Sequence, residues 1–326
     1  MMKTKRYRLQ ELYPGREALT LPSAVKAGEN RVHIVALGDV GLSLALGLRL
    51  LGGKAVETIG LFDPSEKAMK RCEMELNQIG PPILSEEGME PMPEVILLKE
   101  EELFCCDVFV FCASKSVPAL GVEGDVRMMQ FEANRPIVEY YGRLAARAGY
   151  QGIFAVVSDP VDPLCKAALQ ASGLRSGQIR GYGLGVMNKR AEYYARKEPR
   201  FAGYLKEGRA FGPHGSDLVI ANSLEHYDDS LSRELTCLAV EANLRVRELG
   251  FKPYLAPAMS SGALSILLTV KGQWHYSSIF FGREGEGAFL GVRNRITGET
   301  VQYEDIPLPP LLFERIAAAY KNLAAL

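Results

Sequence analysis

The sequence lacks the features that would assign it to a membrane, nucleic-acid-binding or disulfide-stabilised class. No apolar run approaches the roughly 20 residues that span a bilayer, and the basic N-terminal stretch lacks the apolar core of a secretory signal. A formal net charge of −1 over 326 residues argues against a nucleic-acid partner. The six cysteines include no CxxC pair, so we expect reduced core thiols in a cytoplasmic protein and no metal site.

The composition is that of an ordinary globular protein, with 47% hydrophobic and 24% charged residues. In the first half, short apolar runs alternate with stretches of helical periodicity, which is typical of a parallel sheet with helices on both faces. The expected strands cover residues 32–37, 58–62, 94–98, 107–112 and 152–158. The sequence therefore predicts an α/β fold with a Rossmann-type doubly wound parallel sheet.

The pattern changes after residue 183, where longer amphipathic helices are followed by three antiparallel strands and a closing helix. This half is predicted to be an α+β substrate domain that packs beside the sheet. We therefore divide the chain into an N-terminal arm (1–30), a dinucleotide-binding domain (31–183) and a substrate domain (184–326). The arm is expected to lie on the surface or on a partner subunit.

The first predicted strand opens a strand–turn–helix–strand unit with the arrangement of a dinucleotide-binding motif. Gly38 allows the backbone to approach a pyrophosphate, and Gly41 allows the helix to pack closely on the strand. Asp63 follows Gly41 by 22 residues, near the spacing of a carboxylate that binds the ribose hydroxyls. Because such a carboxylate repels a 2′-phosphate, the predicted cofactor is NAD and not NADP. Ala36 replaces the first glycine of the motif, and Asp39 adds a negative charge beside the pyrophosphate position.

Among the four histidines, His214 is the strongest candidate for proton transfer because it lies in the sequence Gly-Pro-His-Gly. The glycines leave room for a ligand beside the imidazole, which can exchange a proton with a hydroxyl or carbonyl while a hydride moves. The alternative, a histidine that only forms a turn, stays open on these grounds. We expect His33 in the core, His275 in a strand and His226 in solvent.

Two arginines are candidates for binding a substrate carboxylate. Arg127 begins the long helix after a polar loop, and Arg190 lies near the start of the next domain. A guanidinium can hold a carboxylate through two parallel hydrogen bonds. On its own, each residue is better explained as a surface charge.

Four stretches resemble, in order and in spacing, motifs of the lactate/malate dehydrogenase family. They are VVSDPVD at residues 156–162 (VVSNPVD in the family), Arg127 with Asn134 (R-x-D-L-L-x-x-N), Gly183 with Arg190 (G-x-G-T-x-L-D-x-x-R) and GPHG at 212–215 (G-E-H-G-D-S). The resemblance extends over nearly all of residues 31–326. It implies hydride transfer between NAD and C2 of a small 2-hydroxy acid, and a homodimer or homotetramer.

The resemblance also implies a role for each matched residue. His214 would be the acid/base at the substrate oxygen, Arg190 would clamp the substrate carboxylate, and Arg127 would polarise the reacting carbonyl. The residues that would bind the cofactor are Gly38, Gly41, Asp63, Ala113, Asn134 and Ser158.

The chain departs from the family pattern at several places, and in the histidine turn Pro213 and Ser216 stand where the family has acidic residues. Met187 occupies the position of the aspartate that orients the histidine, and a thioether cannot accept the imidazole proton. Asp159 replaces an asparagine and becomes a candidate catalytic partner of His214. The loop before Arg127 is longer and lacks the family's arginine, which leaves Lys115 as its only cation and as a candidate substrate-binding residue.

Three interpretations of these departures remain open. The first is a dehydrogenase with an altered substrate, in which Asp159 has become the partner of His214. The second is an NAD-binding sensor or regulatory homologue with weak or no activity, and the third is a protein that uses the same cofactor in another reaction. Since general acid–base catalysis contributes roughly 10²–10⁴-fold, loss of the family's aspartate need not abolish turnover.

Overall fold

A nine-stranded sheet lies at the centre of the part of the chain that the structure, a computed structural model, describes: residues 5–82, 91–115 and 126–326. Its parallel strands are β1 (Asn30–Val35), β2 (Val56–Phe62), β3 (Glu94–Leu97), β4 (Val108–Phe111), β5 (Ile153–Val156) and β6 (Ile179–Gly181). They follow the order β3-β2-β1-β4-β5-β6. This is the strand order of the dinucleotide-binding fold, which confirms the predicted α/β class.

Four helices connect these parallel strands in the described ranges. They are α1 (Asp39–Leu51), α2 (Glu66–Asn77), α3 (Val126–Arg147) and α4 (Val161–Ser172). The start of α2 is fixed by Ser65, whose Oγ accepts a hydrogen bond from the Ala68 amide. The end of α4 is fixed by Gly173, which has a left-handed φ of 63°. The polar loop predicted at 113–124 lies mostly outside the described residues.

The second half contains shorter elements followed by an antiparallel meander. Its helices and strands are α5 (Leu184–Lys197), α6 (Tyr204–Glu207), β7 (Arg209–Phe211), β8 (Val219–Ala221), α7 (Asp229–Glu248), a π-helix (Pro257–Ala263), α8 (Leu264–Val270), β9 (His275–Arg283), β10 (Glu286–Thr297), β11 (Thr300–Tyr303) and α9 (Pro310–Ala324). The three strands of the meander do not form a separate sheet beside the first. They extend the central sheet, because β9 pairs with β6 between Ser278 and Gly181.

The helix predicted at 258–271 begins instead as the π-helix. Its small residues pack against α1: a Cβ on Gly262 would lie 2.7 Å from Leu44 Cδ1, and a Cβ on Gly47 would lie 2.7 Å from the Ala263 Cβ. π-Helical turns commonly occur where an element is bent to meet a functional site. This contact joins the second half of the chain to the helix that follows the dinucleotide-binding turn.

The N-terminal segment packs on C-terminal elements of its own chain. Tyr7 pairs with Leu308 and Thr20 pairs with Thr300 through isolated β-bridges. Leu9, Leu19 and Leu21 are buried in the main hydrophobic core. Residues 5–30 therefore lie against the chain itself. The three residue ranges that we assigned to the arm and to the two domains stay a prediction.

All six cysteines lie in described residues and all are free. Cys72, Cys106 and Cys165 are buried, as expected for core thiols, and Cys112 is half-buried. Cys105 and Cys237 are exposed, so the prediction of a core position is wrong for these two. Within residues 5–82, 91–115 and 126–326, no helix has the length and apolar character to cross a bilayer.

Candidate active site

The imidazole of His214 and the carboxylate of Asp159 meet at the centre of the candidate site. Asp159 follows β5, and His214 lies in the turn between β7 and β8. His214 Nδ1 lies 3.0 Å from Asp159 Oδ1. Gly183 permits this approach, because a Cβ there would lie 2.8 Å from the Cβ of His214. The side chains of His214 and Asp159 are 15% and 43% exposed, so a ligand can reach the pair.

Both candidate arginines act on the same carboxylate. Burial alone would raise the pKa of Asp159, but the charges of His214, Arg127 and Arg190 outweigh this effect and hold the pKa below its usual value. Asp159 therefore remains ionised at neutral pH and can accept a hydrogen bond from the imidazole. The imidazole of His214 and the two guanidinium groups selected from the sequence share one electrostatic environment, although they come from distant parts of the chain.

Arg127, in the first turn of α3, lies across the histidine turn. Its Nη2 donates a hydrogen bond to the main-chain oxygen of His214 at 2.6 Å, and its Nη1 donates to Ser216 Oγ at 3.3 Å. Gly215 leaves space for the guanidinium, since a Cβ there would lie 2.0 Å from Arg127 Nη2. Arg127 thus holds the turn that carries the imidazole.

Arg190 and Met187 lie one turn apart on α5 and contact each other. Arg190 Nη1 donates to Met187 Sδ and to the main-chain oxygen of Ala239, both at 3.3 Å. Met187 is 1% exposed and belongs to a second hydrophobic cluster, which includes residues of α5 and α7. The side chain of Met187 therefore belongs to the core, and it contacts Arg190.

The dinucleotide-binding turn has the geometry that its sequence requires. Ala36, at the position of the missing glycine, adopts a left-handed φ of 72°. Gly41 must lack a side chain, because a Cβ would lie 2.0 Å from the Ala36 carbonyl oxygen, whereas a Cβ on Gly38 would meet nothing within 4 Å. Asp63 Oδ2 accepts a hydrogen bond from the Leu37 amide at 2.8 Å, which ties the end of β2 to the turn. The space beside Gly38 is therefore open to a ligand.

Of the three further residues with a predicted cofactor role, Ala113 follows β4, Ser158 follows β5 and Asn134 lies on α3. Ser158 Oγ donates to the Ala113 carbonyl at 2.7 Å. Asn134 is fully buried; its Oδ1 accepts from the Lys115 amide at 2.9 Å and its Nδ2 donates to the Asp159 carbonyl at 2.8 Å. These contacts give Asn134 a positioning role, because its amide joins the two loops and fixes the backbone of Asp159. The Lys115 side chain is exposed at the end of the described loop.

Asp162 is a second carboxyl group of this region that sequence reasoning did not select. It is 3% exposed, and its Oδ1 has no hydrogen-bond partner within the described part of the chain. Burial raises the pKa of Asp162 to about 6, although Ser278, Arg127 and His214 oppose the shift. The only signal in the sequence was a second aspartate in VVSDPVD.

We predict that Asp162→Asn changes the dependence of stability on pH. A folded-state pKa near 6 exceeds the unfolded value, so the folded wild-type chain loses stability as pH rises through the window from about 4 to 6. Asparagine carries no such penalty. Relative to wild type, the variant should gain up to about 3 kcal/mol in unfolding free energy between pH values of about 4 and 7.5. Urea unfolding across this range measures the gain.

Asp217→Asn is a matched control, since Asp217 lies in the turn that carries His214 and accepts a hydrogen bond from Asn322 at the surface. A difference between Asp162→Asn and wild type that is constant with pH would contradict the prediction.

The other histidines lie where the sequence indicated. His33 is 2% exposed, with Nδ1 3.0 Å from the Leu103 carbonyl. His275 opens β9, is 4% exposed and has its pKa lowered to about 3 by burial and by Arg180. His226 is exposed, and a nitrogen of its ring lies within 4.8 Å of carboxylate oxygens of Glu207 and Glu225. Surface groupings of this kind are common without an ion, and no metal is assigned to it.

Comparisons with known proteins identify relatives by sequence over part of the chain. No protein-family model matches it. An L-lactate dehydrogenase of Treponema denticola is 26% identical over 196 residues, which is 60% of this chain and 58% of that protein. An L-lactate dehydrogenase of Staphylococcus saprophyticus is 27% identical over 195 residues, or 59% and 57% of the two chains. The chain thus spans less than two thirds of the length of these curated relatives.

Solved structures share the fold over most of the chain. The minor L-lactate dehydrogenase of Enterococcus mundtii in a ligand-bound form has a TM-score of 0.72 at 20% identity, covering 92% of this chain and 98% of that one. The malate dehydrogenase of Archaeoglobus fulgidus in complex with NADH has a TM-score of 0.73 at 18% identity, covering 90% and 97%. The chain is therefore similar in sequence, over about three fifths of its length, to proteins named L-lactate dehydrogenase, and it shares the fold of solved lactate and malate dehydrogenases.

Proposed function

We propose that the protein is an NAD-dependent oxidoreductase that transfers a hydride between the nicotinamide and C2 of a small 2-hydroxy or 2-oxo acid. The observation that carries the proposal is the 3.0 Å contact between His214 and Asp159, within reach of two arginines. It supplies a proton-transfer pair although position 187, where the family has an aspartate, is a methionine. The family's use of NAD and the open turn at Gly38 support the cofactor.

The chemistry of His214 follows from its partner. Because the carboxylate of Asp159 stays ionised, it favours the tautomer with the proton on Nδ1 and stabilises the imidazolium. Nε2 is then the nitrogen that exchanges a proton with the substrate oxygen. When bound, NAD supplies or accepts the hydride, and the chain's own groups bind, orient and move the proton.

Arg190 is the proposed carboxylate clamp. Its Nη1 is held by Met187 Sδ and the Ala239 carbonyl, which orients the guanidinium. Within the described residues, neither Nε nor Nη2 of Arg190 has a hydrogen-bond partner, so both remain for a carboxylate. Lys115 is the candidate for a second carboxylate. A monocarboxylic acid, or a larger acid that uses the longer loop, is the proposed substrate class.

A sensor or regulatory homologue that binds NAD with little turnover is the second candidate. It is favoured by the contacts of Arg127, whose Nη1 and Nη2 donate to Ser216 and to the His214 main chain. A guanidinium used in this way contributes less to polarising a substrate carbonyl.

The experiment that tests the proposal uses the wild-type protein with NADH and a panel of 2-oxo acids of different length and charge. We expect oxidation of NADH with at least one of them and weaker use of NADPH, because Asp63 repels a 2′-phosphate. NADH binding by calorimetry without turnover would support the sensor. Absence of NADH binding would contradict both candidates.

We further propose a homodimer or homotetramer in the cytoplasm. Leu249, Phe251 and Leu255, between α7 and the π-helix, are 75%, 71% and 63% exposed, and exposed apolar groups of this kind often mark subunit contacts. Light scattering of the purified protein measures the subunit number, and a monomer at all concentrations would contradict this part of the proposal.

A further inference from the structure

Two negative groups compete for the first turn of α1, namely the carboxylate of Asp39 and the pyrophosphate of a bound dinucleotide. In the dinucleotide-binding fold, a pyrophosphate lies at the N-terminus of this helix, where free amides and the helix dipole favour an anion. Asp39, the first residue of α1, already places a carboxylate there, and its side chain is 49% exposed. A phosphate that enters this position is therefore repelled by Asp39 unless a cation compensates.

The second half of the chain supplies that cation. Lys252 Nζ lies 3.0 Å from Asp39 Oδ2, although the two residues are 213 positions apart in the sequence. The lysine belongs to the segment between α7 and the π-helix. Because the π-helix packs directly on α1 through Gly262 and Gly47, this segment is anchored beside the dinucleotide-binding turn.

Lys252 can exchange the carboxylate of Asp39 for another anionic partner. The side chain of Lys252 is 80% exposed, and ion pairs between exposed side chains contribute little to stability. A dianionic pyrophosphate is a stronger partner for an ammonium group than one carboxylate. The turn at Gly38 has open space for it, because a Cβ there would meet nothing within 4 Å.

We propose that Lys252 binds the pyrophosphate of the dinucleotide and offsets the charge of Asp39, so that the C-terminal half contributes directly to cofactor affinity. This inference rests on the proposed function. It assigns Lys252 as a cofactor-binding residue and Asp39 as a residue that weakens cofactor binding. The ion pair between Lys252 and Asp39 thereby becomes part of the cofactor site.

Calorimetric titration of NADH into the full-length protein tests the proposal. Lys252→Met is expected to raise the Kd for NADH by about three- to tenfold, and Asp39→Asn to lower it by a similar factor. Lys252→Met should also raise the Kd in the Asp39→Asn background, because the lysine contacts the phosphate itself. The increase in Kd caused by Lys252→Met should be larger at about 0.05 M than at about 0.5 M salt, because salt screens the attraction between the lysine and the phosphate.

Lys271→Met, which removes an exposed lysine at the end of α8, is the matched control and should leave the Kd unchanged. An unchanged Kd in Lys252→Met at low salt would overturn the inference alone. A loss that disappears in the Asp39→Asn background would also overturn it, since the lysine would then act only on Asp39. Failure of the wild-type protein to bind NADH would overturn the proposed function, and this inference with it.

Discussion

Replacement of Asp159 by asparagine is expected to lower kcat/KM for the preferred 2-oxo acid by about 10²–10⁴-fold. Asparagine retains the size of the side chain but lacks the charge that stabilises the imidazolium and fixes the proton on Nδ1 of His214. The Asn134 hydrogen bond to the main chain of residue 159 does not depend on the side chain, so the loop should keep its position. Steady-state kinetics across pH measure the loss.

A double-mutant cycle with His214→Gln separates the pair from unrelated damage. Groups that act as a unit give non-additive losses, so the double variant should be little worse than His214→Gln alone. Asp217→Asn, near the same turn, should have nearly wild-type kinetics. Activity of Asp159→Asn within about threefold of wild type would contradict a role for this carboxylate in proton transfer.

Met187→Asp in the Asp159→Asn background asks whether the family's arrangement can be rebuilt. We expect no recovery, because the side chain at position 187 contacts Arg190 Nη1 and lies in the core. A new carboxylate there would pair with the clamp and leave His214 without a partner. Recovery of activity would instead show that His214 can use either position.

The second large effect is expected for Arg190→Lys, with a loss of about 10²–10³-fold in kcat/KM, mostly through KM. An ammonium group cannot form two parallel hydrogen bonds to a carboxylate, and lysine cannot reproduce the oriented contacts of the guanidinium with Met187 Sδ and the Ala239 carbonyl. Initial rates over a wide range of 2-oxo acid concentration separate KM from kcat.

Arg196→Lys is the matched control for this prediction. Arg196 lies on the same helix and pairs with Glu192 at the surface, where the exchange of one cation for another has little effect. If Arg190→Lys changes kcat but leaves KM unaltered, the residue is not the clamp for the substrate carboxylate. NADH affinity should be the same in wild type, Arg190→Lys and Arg196→Lys.

The parallel half of the fold could be predicted from the sequence because each of its elements has a local signal. The strands β4 and β5 are wholly apolar, and α1 follows a turn with glycines at the required places. The extension of the sheet by β9, β10 and β11 could not be predicted, since the pairing of Gly181 with Ser278 joins residues 97 positions apart and leaves no local pattern.

In the candidate site, too, the sequence indicates individual residues, whereas the contacts between them arise only in the folded chain. The resemblance selected His214, Arg190 and Asp159 as members of one site, but the distance between His214 and Asp159 depends on how two loops from different halves meet. The burial of Asp162 and the ion pair of Lys252 with Asp39 likewise arise only from folding. The local sequence around these residues contains no pattern that predicts such contacts.

The continuity of the central sheet also limits how the protein can move. One hydrophobic core contains residues of β1 and of β10, and the Gly181–Ser278 pairing joins the two halves at the main chain. A rigid rotation of one half away from the other would separate buried apolar surfaces and break that pairing. The span from the dinucleotide-binding turn to Arg190 is therefore fixed by the fold, and acids of different length must be accommodated by surface loops without a domain hinge.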